Sequence, residues 1–450
     1  MKRFFYAIFR FSSAVNLSRK KRLTNNGLVV LSCTVIIGFV GLDTNQALTY
    51  QIFTFLLSII GMAIIFSRFF RFRFHAVRVL PKFATVGITV KYRILVHNKT
   101  SQSQTNLKLW ENFADSRPSF QEFIETPEPS EEQRNSFDRY SGYYRWLWLI
   151  YRKQCATAKT INLPPLPHNS KTEVFGEITP SCRGVIRLTG LTVTRSDPFG
   201  IWNACQTISL PQSMLILPKL YHLPPIQLPG LRRYQSGGVT LASSVGDSEE
   251  FRSLRDYRSG DSLRKIHWKS WAKTGKPIVK EEQDEFFVRH ALILDTFQSV
   301  KYSEILEEAI SIAASLACEV QTQESLLDLM FVVQEAYCFT FGRGLSSTEK
   351  MLEILASVGA CQDKVFDSLI SVVMDKISLL SGCICIFLCW DEPRKKLVNY
   401  LRSRGIHTLV LILTERHAEL DSLNLGLIKD NLTNCHILKL GKIQEELMKL

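Results

Sequence analysis

Two apolar blocks stand near the start of the chain, and shorter alternating patterns replace them afterwards. Gly27 to Leu42 (GLVVLSCTVIIGFVGL) is apolar without a charge, Asp43-Thr44-Asn45-Gln46 interrupts it, and Ala47 to Ser67 is apolar again. A helix that crosses the hydrocarbon core of a bilayer takes about 20 residues, within a range of about 17–25. The second block fits. The first reaches that length once Asn25, Asn26 and the basic run Arg19-Lys20-Lys21-Arg22 are placed at the interface. The pattern predicts a transmembrane helical hairpin over 27–67, preceded by a basic segment, 1–26. A cleaved signal peptide does not fit, because no small-x-small site follows the first block and a second apolar block does.

From Phe72 to about Pro229 the pattern becomes short β-branched runs: FATVGITVKYRILVHN, EVFGEITP, GVIRLTGLTVTRS and SMLILPKL, with Pro and Gly at the breaks. Regularly spaced strands separated by turn signals predict a β-sandwich over 72–229. Residues 127–158 interrupt it. Their first part, TPEPSEEQRN, is polar, and their second, RYSGYYRWLWLIYRK, is aromatic and basic. Tyr140, Tyr143, Tyr144, Trp146, Trp148 and Tyr151, with Arg139, Arg145 and Arg152, suit the headgroup level of a membrane. They suit equally a long hairpin packed on the sandwich.

From His290 strands and helices alternate. HALILD is an apolar run ending in an acid, the form of a strand buried on both faces. Residues 302–321 carry Ile305, Leu306, Ala309, Ile312, Ala313, Leu316 and Val320 at helical spacing. LLDLMFVV, CICIFLCW, IHTLVLIL and CHILKL repeat the strand theme and predict a parallel sheet covered on both faces. The whole reads as a multidomain α+β membrane protein: hairpin, β-sandwich, a joining segment at 230–289, and an α/β domain over 290–450.

Charge sharpens the picture. Net charge is +13, yet residues 1–82 hold twelve Lys/Arg against the single acid Asp43, while residues 83–450 hold 43 basic and 41 acidic residues. The excess flanks the apolar blocks, which argues against a nucleic-acid partner. By the positive-inside rule it places both termini in the cytoplasm, in a multi-pass protein of the plasma (inner) membrane. Eleven cysteines, an odd number, have no framework spacing, and reduced thiols suit the cytosol. Cys383, Cys385 and Cys389 read as small hydrophobes of a buried strand.

The densest chemistry lies in Glu249 to Glu285, EEFRSLRDYRSGDSLRKIHWKSWAKTGKPIVKEEQDE. Arg255, Asp256, Asp261, Arg264 and Lys269 can hold it in one shape through charge-assisted hydrogen bonds. Gly260 permits a tight turn, and Tyr257, Trp268 and Trp271 are amphipathic anchors. Two roles remain open: glue between domains, or a surface that docks a partner. At the sheet ends, Asp295-Thr296-Phe297-Gln298-Ser299 resembles the Asp-x-Ser-x-Ser loop of von Willebrand factor A-type domains, in which hydroxyls and acids hold a divalent cation. Asp295 and Ser299 match and Asp391 stands in the place of the second acid, but Phe297 replaces a ligating serine; Ser346, Ser347 or Thr348 could add a hydroxyl. The resemblance implies a degenerate Mg²⁺ site, with a metal-free crevice as its alternative.

The stretch R-D-Y-x-x-G-D-x-x-R-x-I-x-W-K-x-x-A-K resembles the signature of the MoxR-associated membrane family known as domain of unknown function fifty-eight. Arg183-Gly184, Asp197-Pro198-Phe199-Gly200, the two-helix start and the von Willebrand A-like end fit the same pattern, and residues 127–158 depart from it. The resemblance implies an adaptor or scaffold that partners a MoxR-type AAA+ ATPase in the assembly or maturation of envelope or enzyme complexes. No nucleotide loop is present, and His267 has no Ser or Cys nucleophile at instructive spacing, so no catalytic constellation is legible. The alternative is a metal-dependent hydrolase using Asp295 and Asp391.

Overall fold

The computed structural model describes residues 2–40, 47–70, 72–129, 131–224, 251–259, 261, 263, 266–282, 289–322, 326–342, 345–414 and 434–450. The chain forms two compact units, Met1–Lys219 and Leu220–Leu450.

The first unit opens with three helices: α1 (Lys2–Arg22), α2 (Asn25–Val40) and α3 (Ala47–Phe69). Uniform apolarity over α2 and α3 leaves the backbone to satisfy its own hydrogen bonds, which a helix does internally. Only α3, among the described residues, is long and apolar enough to cross a membrane. The 16 residues of α2 reach about 24 Å at about 1.5 Å per residue, short of a hydrocarbon core of about 30 Å. The two-span hairpin expected from the sequence is thus reduced to one helix of spanning length and one shorter apolar companion. Both are tied to the same turn. Asp197 accepts amides from Phe199, Ile201 and Trp202. Thr24 donates to the carbonyls of Gly200 and Ile201, and Phe66 lies against Phe199. Gly27 allows this approach, since a Cβ there would lie 2.1 Å from the Ile201 carbonyl oxygen.

The expected β-sandwich is present. One sheet orders β1 (Phe74–Val79), β3 (Val90–Asn98), β7 (Lys171–Pro180) and β5 (Ala156–Ala158). The other orders β2 (Phe83–Thr85), β9 (Asn203–Leu217), β8 (Gly184–Ser196), β4 (Leu107–Phe113) and β6 (Ile161–Asn162). Alternation buries every second residue of β1 and β3, so Ala76, Ile94 and Val96 meet Leu109, Ile186 and Ile216 in one core. A charged triad crosses it. Arg78 on β1 pairs with Glu111 on β4 at 2.9 Å, and the Tyr92 hydroxyl on β3 donates to Glu111 at 2.6 Å. Burial pushes the Glu111 carboxyl up, and the Arg78 guanidinium pulls it back down.

The insert differs from the expected hairpin: it is helical and begins earlier, at the Ser119–Glu122 capping box of α4 (Phe120–Glu125). It continues through α5 (Ser136–Ser141) and α6 (Tyr143–Gln154). Gly142, at φ 68°, ends one helix and starts the next, and a Cβ there would lie 2.8 Å from the Phe123 ring. The amino-terminal basic segment is also not a loose tail. As α1 it packs Tyr6 and Phe9 on Phe123, Trp146 and Leu149, and Trp146 Nε1 donates to Ser13 Oγ at 2.9 Å.

The second unit begins at Leu220, earlier than the expected boundary at 230. Tyr221 reaches Glu308 and Ser315, and His222 exchanges hydrogen bonds with Gln444. A two-stranded ribbon, β10 (Phe251–Asp256) and β11 (Ile278–Glu282), carries the short helix α7 (Trp268–Thr274) between its strands. A six-stranded sheet follows. Its order is β14 (Ala336–Phe341), β13 (Leu326–Val332), β12 (Arg289–Leu294), β15 (Gly382–Phe387), β16 (His407–Thr414) and β17 (Cys435–Lys439). All pairs are parallel except β13 with the edge strand β14. Helices α8 (Glu304–Thr322), α9 (Leu345–Ser357), α10 (Asp367–Lys376), α11 (Glu392–Ser403) and α12 (Ile443–Leu447) complete the unit. All eleven cysteines are free, and Cys383 and Cys385 are buried in β15.

Two outcomes are expected of these interiors. Glu111→Ala leaves the Arg78 charge buried and should cost the sandwich about 3–5 kcal/mol. Tyr92→Phe removes a hydrogen bond to a charged acceptor and should cost about 1.5–3 kcal/mol. Amide exchange of β3 and β8 in the full chain measures both, and a Tyr92→Phe cost above that of Glu111→Ala would contradict the ion pair's rank. His290 on β12 is buried, and burial pushes its imidazole down to about 4. Its folded value lies below the unfolded one, so its contribution is intact above about pH 6.5 and falls as pH drops toward the folded value. Wild-type protection of β12 should weaken by about 2 kcal/mol between about pH 7 and about pH 5, and His290→Leu should remove that slope.

Candidate functional site

In an open parallel sheet the ligand crevice lies beyond the carboxyl ends of the strands, where the strand order reverses. Here β12 is followed in sequence by β13 on one side and, after β14, by β15 on the other, so the reversal falls between β12 and β15. Asp295 directly follows β12, and Asp391 lies four residues beyond the end of β15. The predicted pair therefore does stand at the switch point.

What joins them is an arginine. Arg394 lies in the first turn of α11, whose amino terminus Asp391 caps by accepting the Arg394 amide. Its Nε donates to Asp295 Oδ2 at 2.8 Å, its Nη2 to Asp295 Oδ1 at 3.1 Å, and its Nη1 to Asp391 Oδ2 at 2.5 Å. The amides of Phe297 and Leu388 complete the shell of Asp295 at 3.0 and 3.1 Å. Asp295 is fully buried. Burial holds its carboxyl above the usual range, and the Arg394 fork and the two amides offset only part of that rise. The guanidinium also lies 4.5 Å from the centre of the Phe366 ring, against which Phe297 packs edge-on.

This corrects the expected Mg²⁺ site. Both oxygens of Asp295 are engaged, a fixed positive charge sits between the two acids, and Phe297 and Phe366 close the space beside it. Ser299 is exposed on the loop beyond, where its carbonyl accepts from Gln362. Thr348 lies in α9, and the side chains of Ser346 and Ser347 fall outside the described residues. Among the described residues no group of three or more His, Cys, Asp or Glu is placed to hold a metal. Arg394 was the missed residue. Its signal was a strand-end acid followed three residues later by a base at a helix start.

The second predicted site, the ribbon around 251–282, is braced internally. Arg255 forms a two-point fork with Asp261, both bonds 2.7 Å, and the Arg258 amide donates to the same carboxylate at 2.8 Å. The Arg255 hydrogen bonds, then the Arg258 amide, hold the Asp261 carboxyl down at about 2. His267 and Tyr257 hydrogen-bond the backbone of β11 and Pro277, and Ile266 and Val279 are buried between them. This fixes α7, on which Trp268 stacks on Trp271 at 5.2 Å while remaining 64% exposed. Lys269 and Asp256 are exposed and Tyr257 is half-buried, while Gly260 and Arg264 fall outside the described residues. Elsewhere, a cavity of about 440 Å³ is lined by Tyr6, Arg10, Asp115, Arg117, Phe120 and Lys153. Asp115 pairs there with Arg117, and Lys153 with Glu122.

Residues 253–369 match the family model described as protein of unknown function DUF58. The match begins in the ribbon and runs through β12 to the start of α10. No curated protein matches the chain. Solved structures similar to parts of it include the CARDB domain of a Pyrococcus furiosus protein in complex with di-metal ions, 9% identical, covering 32% of this chain and 93% of that one, TM-score 0.17. Another is a mutant of Salmonella alpha-2-macroglobulin, 12% identical, covering 35% of this chain and 8% of that one, TM-score 0.18. Likeness at these scores does not establish a shared fold.

The occupied crevice leads to a measurable expectation. Arg394→Ala should destabilise the β12–β15 region by about 3–5 kcal/mol, because it strands a buried carboxylate. Calorimetric titration of Mn²⁺ into the wild-type chain should show no heat that depends on Asp295. A saturable isotherm abolished by Asp295→Asn would refute the occupied-site assignment.

Proposed function

We propose that the chain is a membrane-anchored adaptor whose large carboxyl-terminal part faces the cytoplasm and docks a MoxR-type AAA+ ATPase. One observation carries the reading: within the DUF58 match, a short helix fastened to β11 through His267 and Ile266 presents the exposed Trp268. A large, flat side chain on a preordered support is the composition of a binding hot spot. The ATPase class comes from the resemblance of the surrounding signature to the MoxR-associated family, and the client stays unassigned.

The second unit is read as von Willebrand A-like. Its parallel sheet with one antiparallel edge strand, and its strand-end acids at the switch point, support that assignment. The anchor is read as a hairpin of α3 and its companion α2. Both are tied to the 197–202 turn at one end, and six residues join them at the other. If α3 spans, α2 has to run back along it, with Arg19–Arg22 and Arg68 at the same, cytoplasmic side.

Affinity purification of the tagged full chain from detergent-solubilised membranes tests the proposal. An AAA+ ATPase identified by its nucleotide-loop peptides should copurify, and Trp268→Ala should weaken its binding by about 2 kcal/mol or more, roughly 30-fold. Repeated purification without any AAA+ protein would rule the adaptor reading out, while unchanged capture by Trp268→Ala would remove Trp268 from it.

A further inference from the structure

Helix α1 carries two apolar lines. Tyr6, Phe9 and Ser13 face the insert, where they meet Phe123 and Trp146. Phe4, Ile8, Phe11 and Val15 recur at the four-three-four spacing of the opposite face, and all are exposed, Phe4 at 66% and Phe11 at 73%. A buried helix of a soluble protein needs one line, and the second stays exposed to solvent among the described residues. Arg19 and Arg22, both exposed, continue the same outward line. Residues 2–22 hold seven Lys/Arg and no acid.

The insert repeats the arrangement. Trp146 and Leu149 of α6 face α1, whereas Tyr144, Leu147 and Tyr151 are exposed on another face, with Phe137 of α5 at 71% exposure. That face points away from α1, so the outward line of α1 stands by itself. Arg19, Lys20 and Arg22 at its end are exposed, and the helix has no acid. An apolar face flanked by exposed bases therefore lies on the helix that leads, after Leu23 and Thr24, straight into α2.

We propose that α1 forms a platform that lies, by its outward face, on an anionic lipid leaflet beside the helical anchor. Phe4, Ile8, Phe11 and Val15 enter the headgroup boundary, and Arg19, Lys20 and Arg22 draw in acidic headgroups. The platform rests on the anchor reading for its position but makes its own demand, namely dependence on lipid charge.

The full chain, reconstituted in nanodiscs of phosphatidylcholine alone or with about three parts in ten phosphatidylserine, provides the test through amide exchange. Exchange in α1 should slow at least tenfold in the anionic discs relative to the neutral ones. Raised salt or the paired change Phe4→Ser with Phe11→Ser should reverse this, with Trp146-side contacts and the β-sandwich amides unchanged. Equal exchange in the two lipids while α3 stays protected would overturn the platform and leave the anchor standing. Protection that follows the number of chains per disc, not lipid charge, would make a second copy the occupant and also overturn it. If α3 itself exchanges freely, the anchor reading fails. The platform is then decided by cosedimentation of the intact chain with vesicles of the same two compositions: pelleting with the anionic vesicles alone upholds it, and no pelleting overturns it.

Discussion

A carboxylate taken out of water has to meet a cation, and in both units of this chain the cation is an arginine delivered by a different element. Glu111 on one sheet of the sandwich meets Arg78 from the other. Asp328 on β13 meets Arg289 on β12, with Thr340 on β14 closing the group. Asp295 meets Arg394 from α11. Each pair ties together elements that the hydrophobic core alone would let slide, and each would become a liability if one member were lost. The pairs thus act as register pins: Arg78 fixes how the two sheets face one another, and Arg394 fixes α11 against the ends of β12 and β15.

The last pair also decides what the α/β unit can do. At the switch point of an open sheet, free carboxylates would invite a metal or a polar ligand. Arg394 satisfies them from within, and Phe297 and Phe366 seal the flank. The ribbon, by contrast, presents Trp268 at the surface on a braced support, and preordering lowers the entropy that any partner must overcome.

The sequence made the sheet legible because β12, β15 and β16 are continuous apolar runs and their periodicity needs no partner to be read. The strand-end acids were legible too. Their counter-ion was not, since Arg394 lies 99 residues from Asp295 and pattern reading does not pair distant charges. The ribbon's fork joins Arg255 to Asp261 across six residues, and the sequence offered both among five charged residues without pairing them. The amino-terminal segment read as basic and aromatic, and its helix was hidden for a different reason. Two apolar lines on opposite faces cancel in any amphipathicity measure, so a helix with two separate contacts looks like a basic tail. The insert's helices were hidden as well, because aromatic residues lean towards strands by propensity and packing overrides that here.

The turn Asp197-Pro198-Phe199-Gly200 connects these levels. Three amides on one carboxylate make it stiff, Thr24 and Gly27 fasten the start of α2 to it, and Phe66 brings the end of α3 against it. Lys21 adds a bond from the end of α1 to Asn112 on the same sheet as β8 and β9. The sandwich is therefore not strung on a loose linker. Its helices leave it from one braced point, so the tilt of the apolar pair is passed on to the sandwich and to α1. An exposed aromatic surface on a freely swinging domain would meet lipid, solvent and neighbours in turn. Mounted as it is, this surface keeps one relation to the pair, and that constraint lets a few exposed rings and bases act together.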